Sequence, residues 1–92
     1  MKSIIQDEKE CYVCGTRHGL QKHHIFGGTA NRKKSEQYGL TVWLCMDHHT
    51  GDHGVHRDQV MMDCFHMKGQ LAFEERIGGR EIFRKEFGKS YL

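Results

Sequence analysis

Cys45 to His56, read CMDHHTGDHGVH, packs one cysteine and four histidines into twelve residues. Thiolate and neutral imidazole are the usual ligands of zinc and related ions, and a stable site needs about three or four of them converging on one point. The stretch is too rich for one site and too poor for two, so partners must come from elsewhere. Upstream, Cys11-Tyr-Val-Cys14-Gly15 has the C-x2-C form of a zinc knuckle, in which a tight turn points two thiolates at one ion. After thirty intervening residues, Cys45-Met-Asp-His48 repeats that spacing. Cys11, Cys14, Cys45 and His48 thus form a Cys3His set, the full ligand count of a closed structural zinc site.

Consecutive residues on a helix point about 100° apart. His49 therefore faces away from the ion that His48 completes, and the other histidine pair, His23-His24, is what it can meet across a hairpin. Strand alternation sends His23 and His24 to opposite faces. Both approach one site only if the strand ends or bulges there, which Gly27 and Gly28 would allow. His53 lies four residues after His49, on the same helical face. His56, seven after His49, would stand about 10 Å along a regular helix, but Gly51 and Gly54 argue against regularity.

The elements that must position these groups can be read from composition and pattern. LQKHHIF (Leu20 to Phe26), stopped by Gly27 and Gly28, and LTVWLC (Leu40 to Cys45) read as strands, brought side by side if one ion joins Cys14 to Cys45. Thr29 to Tyr38 has helix formers and ends at Gly39. From Val55 onward, apolar residues at Val60, Cys64, Met67 and Leu71, with Met61 and Phe65 beside them, mark a helical stripe, taken as the core-facing side with Cys64 as a small buried hydrophobe. Gly78 and Gly79 end it, and a short helix from about Arg80 to Phe87 follows. The expected architecture is α+β: lead-in 1–10, a zinc-stapled hairpin and helix over 11–56, and a helical tail over 57–92, all one domain.

Ninety-two residues bury a modest core, so a staple is expected. The N-terminus MKSIIQDEKE lacks an apolar run, which points to a reducing, cytoplasmic setting and to metal in place of disulfides. No stretch approaches the ~20 apolar residues of a membrane span. The formal charge is only +2, but Gly15 to Lys34 holds five basic residues and no acidic one, against seven basic and eight acidic from Thr41 onward. A basic segment beside metal ligands suits a phosphate-rich partner.

Cys11-x2-Cys14, His23-His24-Ile25, Leu44-Cys45-x2-His48-His49 and Gly54-Val55-His56 together resemble the HNH (His-Me finger, ββα-metal) endonucleases, specifically the small zinc-containing kind of phages and mobile elements. The resemblance covers about half the chain. It implies a ββα-metal finger with a Cys3His zinc, a catalytic divalent ion (Mg²⁺, Mn²⁺, Ni²⁺ or Zn²⁺) on His23 and His49, and His24 as general base. It also places a histidine at the GVH position, which favours His56 as a further ligand, with His53 the alternative. DNA is the implied substrate, with RNA also open, cut to a 5′ phosphate and a 3′ hydroxyl. Arg32, Lys33 and Lys34 would hold the backbone. A domain this small has little room for base readout, so a targeting protein partner is one expectation, and a phage origin would put it in the host cytoplasm.

Two features depart from the family pattern. The middle asparagine, which ties down the loop near the start of the second strand, has no counterpart, since Asn31 is the only asparagine and lies upstream. The proline often found after the histidine pair is replaced by Gly27 and Gly28. The competing reading is a zinc-stapled nucleic-acid-binding module without catalysis, in which the imidazoles pack or bind phosphate.

Overall fold

Strand β1 (Leu20–His24) pairs antiparallel with strand β2 (Thr41–Cys45), Leu20 opposite Cys45 and His24 opposite Thr41, in a computed structural model that describes residues 2–92. Helix α1 (Thr29–Tyr38) lies in the connection between them. After β2 come the one-turn helix α2 (Met46–His49), a 3₁₀ turn (Val55–Arg57), the long helix α3 (Gln59–Arg76) and α4 (Arg80–Phe87). The chain is a small α+β fold with a two-stranded sheet. Among the described residues no helix is long and apolar enough to cross a membrane.

Both strands are shorter than their apolar runs. Ile25 and Phe26 leave the ladder and turn into the core, where both are buried, while the Ile25 N–H still donates to the Leu40 carbonyl at 3.0 Å. The exit is fastened by Ser35 of α1, fully buried, whose hydroxyl accepts from the Phe26 N–H and donates to the Phe26 carbonyl, both at 3.0 Å. Gly39 ends α1 in the left-handed conformation, φ 71°. A Cβ there would also collide with the Lys2 carbonyl, because the lead-in runs close by. The lead-in is bonded into the hairpin: Ile4 N–H donates to the Gly39 carbonyl, and Gln6 Oε1 accepts from the Trp43 N–H.

The core is aromatic. Phe26, Phe73, Phe83 and Phe87 are buried together, with Tyr38 and Tyr91 at their edges and ring centroids 4.7–6.3 Å apart. Because α4 contributes Phe83 and Phe87, the helical tail completes the core under the hairpin. Trp43 is half-buried, with the Lys9 ammonium 4.5 Å from its ring centre.

Helix α3 corrects the periodicity. Val60, Cys64, Met67 and Leu71, the stripe read as core-facing, are all exposed, and Cys64 is a surface thiol. The buried side carries Phe65, Gly69, Gln70 and Phe73; Phe65 and the half-buried Met61, read as flanking the stripe, do pack on the core. Two of these four score as non-apolar, yet each has a physical reason to be inside. Gly69 lets the helix approach β1's exit: an added Cβ would stand 2.6 Å from Ile25 Cγ2 and 3.1 Å from the Phe26 ring. Gln70 is fully bonded, its amide donating to Glu74 and Ser90 and its oxygen accepting from the Tyr91 N–H at 2.6 Å. A buried amide satisfied in this way pins the C-terminus.

Gly69→Ala tests this packing. Alanine favours a helix interior over glycine by about 0.8–1 kcal/mol, whereas overpacking a tight contact costs about 1–3 kcal/mol. The expected outcome is a net loss of stability, read as a lower denaturation midpoint with an unchanged m-value. An increase in midpoint would show that Ile25 gives way freely.

Candidate metal centres

The knuckle is a turn closed by Gly15 N–H donating to the Cys11 carbonyl and Cys11 N–H donating to Thr16, each at 2.8 Å. Tyr12 N–H donates to the Trp43 carbonyl, which fastens the turn alongside β2. Cys45 ends β2 and caps α2, so His48 comes round one turn later to the same point. The result is a cluster of Cys11, Cys14, Cys45 and His48 whose ligand atoms all lie within 4.8 Å of one another. Individual separations are 3.9 Å for Cys14 Sγ to Cys45 Sγ, 3.8 Å for Cys11 Sγ to His48 Nδ1, and 3.2 Å for Cys45 Sγ to His48 Nδ1. Tetrahedral bonds of ~2.3 Å to sulfur and ~2.0 Å to nitrogen place ligand atoms about 3.5–3.8 Å apart. The cluster has that size and could hold a metal ion such as zinc. Burial raises the Cys11 thiol, but backbone N–H groups of Cys45, Cys14 and Val13 aimed at its sulfur outweigh it and bring the pKa down to about 6. A thiol held there is ready to ligate as thiolate. All four cysteines are free.

A second group lies on the other side of His48. His23, His49 and His56 offer ring nitrogens within 4.8 Å of one another. His49 Nε2 and His56 Nε2 are 3.2 Å apart, and the His23 ring centre is 5.3 and 5.2 Å from theirs. His23 is 3% exposed, and its Nε2 is buried without a hydrogen-bond partner. Such an orphaned atom is costly unless something outside the protein's own donors satisfies it. Burial, then the neighbouring imidazoles of His49 and His56, push His23 down to about 3, and burial with His56 lowers His49 as well. His23 is therefore neutral, as a metal ligand must be. His49 Nδ1–H donates to Gln21 Oε1 at 2.6 Å, leaving Nε2 free to face the cluster. Three imidazoles, with no fourth ligand grouped with them among the described residues, could hold an ion in an open site, in contrast to the closed cysteine cluster.

His56 stands in this group and His53 does not. Gly51 and Gly54 pack against Asp47 and His49 too tightly for any side chain, folding the chain back so that the 3₁₀ turn presents His56 to His49. His53 instead bonds Asp47, Nδ1 to the carboxylate at 3.0 and 3.1 Å, and is exposed.

His24 does not join the cluster. The ladder is regular through His24 opposite Thr41, with no bulge, so alternation holds and His24 faces away from His23. Both nevertheless line a pocket of about 220 Å³ with Lys22, Gly27, Arg32, His49 and His56. His24 Nε2 lies 3.0 Å from Glu36 Oε2 of α1, and Lys22 Nζ lies 3.1 Å from Glu36 Oε1. A neighbouring groove is lined by His24, Gly28, Thr29, Arg32, Lys33 and Glu36. Arg32 and Lys33 are exposed and form no ion pair among the described residues, and Arg32 borders both cavities. Lys34 belongs elsewhere: it pairs with Glu86 of α4, which also accepts from the Tyr38 hydroxyl at 2.8 Å. Facing α4 instead of the groove, it ties α1 to the tail.

Three residues here had gone unremarked in the sequence. Gln21 had a signal, since it sits two before His23 on the same strand face. Glu36 and Ser35 had none, because only the packing of α1 against β1 brings them to His24 and Phe26. The chain matches no known protein-family model, no curated protein and no solved structure.

Two outcomes follow from the clusters. Cys14→Ser should lose zinc and melt lower, because a ligand to a structural ion contributes folding free energy; undiminished zinc content and thermal stability would remove Cys14 from the site. For His23, the ordinary pKa of 6.5 falls to about 3 on folding, so the unfolded chain takes up the proton first. Its contribution is intact above about pH 6.5 and falls with pH below it, by about 1.4 kcal/mol per unit. Urea unfolding of the wild type against His23→Gln, without added divalent ions, should show the difference between them changing with that slope between pH 6.5 and 5. A constant difference would mean that His23 is not held neutral.

Proposed function

We propose that this chain is a metal-dependent endonuclease of the HNH, or ββα-metal, type, hydrolysing phosphodiester bonds in DNA. Two antiparallel strands followed directly by α2 are consistent with the order of that finger, and the Cys3His cluster could hold its structural zinc. The observation that carries the reading is the open His23, His49 and His56 group, with a buried, unpartnered Nε2, beside a pocket that His24 also lines.

The chain's own residues then divide the work. His23, His49 and His56 would hold the ion, and Gln21 orients His49 from behind. A divalent cation such as Mg²⁺, Mn²⁺ or Ni²⁺ held there would neutralise the charge that develops on the phosphate and the departing 3′ oxygen. His24, on the adjoining face of the pocket, takes the proton of the attacking water as general base. Arg32 and Lys33 bind the flanking phosphates and position the strand without reading sequence. The products are a 5′ phosphate and a 3′ hydroxyl. Ser35, bridging the Phe26 backbone, does the loop-tying that an asparagine does in the family. Few side chains remain near the pocket to read bases, so modest sequence preference or a targeting partner fits this surface.

Supercoiled plasmid with Mg²⁺, Mn²⁺ or Ni²⁺ tests the proposal, with a single-stranded RNA arm to separate substrates. Nicking should depend on the added ion, and His24→Ala should reduce it by about 10²–10⁴-fold, the usual worth of a general base, with zinc content unchanged. His56→Ala should weaken binding of the second ion by calorimetry while His53→Ala leaves it intact. Cleavage equal in wild type and His24→Ala would defeat the assignment of the base.

A further inference from the structure

The nuclease reading assigns a base but not what holds it, and Glu36 is the group in contact with it. Its carboxylate spans two residues on one face of β1, Oε2 to His24 Nε2 at 3.0 Å and Oε1 to Lys22 Nζ at 3.1 Å. His24's side chain is 15% exposed, so the partner on its ring is set by the fold more than by water. The helix carrying Glu36 is itself immobilised at that point. The preceding residue, Ser35, is buried and bonded to Phe26 through its hydroxyl, and its carbonyl accepts from the Leu40 N–H at 2.8 Å. Lys34, one residue earlier, is paired with Glu86. Glu36 is thus held in register with the end of β1 by the contacts of the two residues that precede it.

We infer that Glu36 is the positioning residue for His24, accepting its Nε2–H, fixing the imidazole tautomer and leaving Nδ1 as the nitrogen that takes the proton from water. The inference rests on the nuclease reading for its catalytic consequence, but the tautomer is a property of the folded chain alone. A carboxylate on the far nitrogen orients an imidazole base and stabilises the imidazolium formed in the reaction. The hydrogen bond from Lys22 favours the ionised form of Glu36 and occupies its other oxygen. Lys22 is in this sense part of the same device, at the edge of the pocket where substrate phosphate would enter.

The experiment pairs nitrogen-15 NMR of the histidine side chains with steady-state cleavage, on the zinc-loaded full chain at a pH where imidazoles are neutral. Wild-type His24 should show the Nε2–H tautomer. Glu36→Ala should lose that preference and lower kcat about 10–100-fold, the usual effect of removing such an orienting partner, with KM for plasmid little changed. Glu36→Gln, which keeps an acceptor oxygen without the charge, should retain the tautomer and recover part of kcat. Equal melting temperatures would show that the variants are folded, as expected for a half-exposed side chain. A His24 tautomer indifferent to Glu36, or a loss confined to KM, overturns the inference. A Glu36-dependent tautomer in a wild type that cuts neither DNA nor RNA supports the hydrogen bond and overturns the nuclease reading instead.

Discussion

The register of one short hairpin governs the molecule. With Leu20 opposite Cys45 and His24 opposite Thr41, the two-residue period of β1 sends Gln21 and His23 to one face and Lys22 and His24 to the other. A slip of one residue would exchange those faces, taking His23 from His49 and His24 from Glu36. Everything chemical in the chain is arranged about that alternation, and the remaining structure keeps it from slipping. The cysteine cluster grips the end where Cys45 leaves the sheet, while Ser35 and the Ile25 to Leu40 hydrogen bond grip the end where β1 exits.

The two clusters meet at a helix of a single turn. His48 and His49 are adjacent, and because helical neighbours diverge by about 100° they serve different groups. His48 completes four converging ligands with Cys11 and Cys14 of the knuckle and Cys45 at the end of β2, whereas His49 meets His23 and His56. The distinction between closed and open sites follows from that count. An ion held by the four-ligand cluster would be closed off, while one held by the three imidazoles, with their unpartnered buried nitrogen, would have room for a further ligand. Placing the two on either side of α2 lets the fold's rigidity at the first position the second.

Helix α1 has a larger part than a connection usually has. Its Ser35 and Glu36 act on β1 from the outside, its Lys34 and Tyr38 reach Glu86 of α4, and its Arg32 and Lys33 border the grooves. Consecutive residues at 32 to 36 thus project to different neighbours. The three basic residues that read as one patch in the sequence separate accordingly: two face open grooves and one bonds the tail.

Some of this was determined by residue type and spacing. Metal chemistry is local in its demands: the paired C-x2-C and C-x2-H turns, and the incompatibility of adjacent histidines with one ion, follow from turn and helix geometry within a few residues. The helix limits at Thr29–Tyr38 and Arg80–Phe87 were legible for the same reason, from glycine punctuation. What depended on distant contacts was not. Hydropathy centred the core face of α3 on Val60, Cys64, Met67 and Leu71 and left buried Phe65 at its edge, because a glycine buried for close approach and a glutamine buried with all its bonds made carry no apolar signal. Whether His53 or His56 would stand beside His49 turned on how tightly Gly51 and Gly54 fold back against α2. Likewise, only the docking of α1 on β1 could bring Glu36 to His24, since no periodicity links residues twelve apart across a strand exit. Ligand spacing is a property of the chain; the partner of each ligand is a property of the packing.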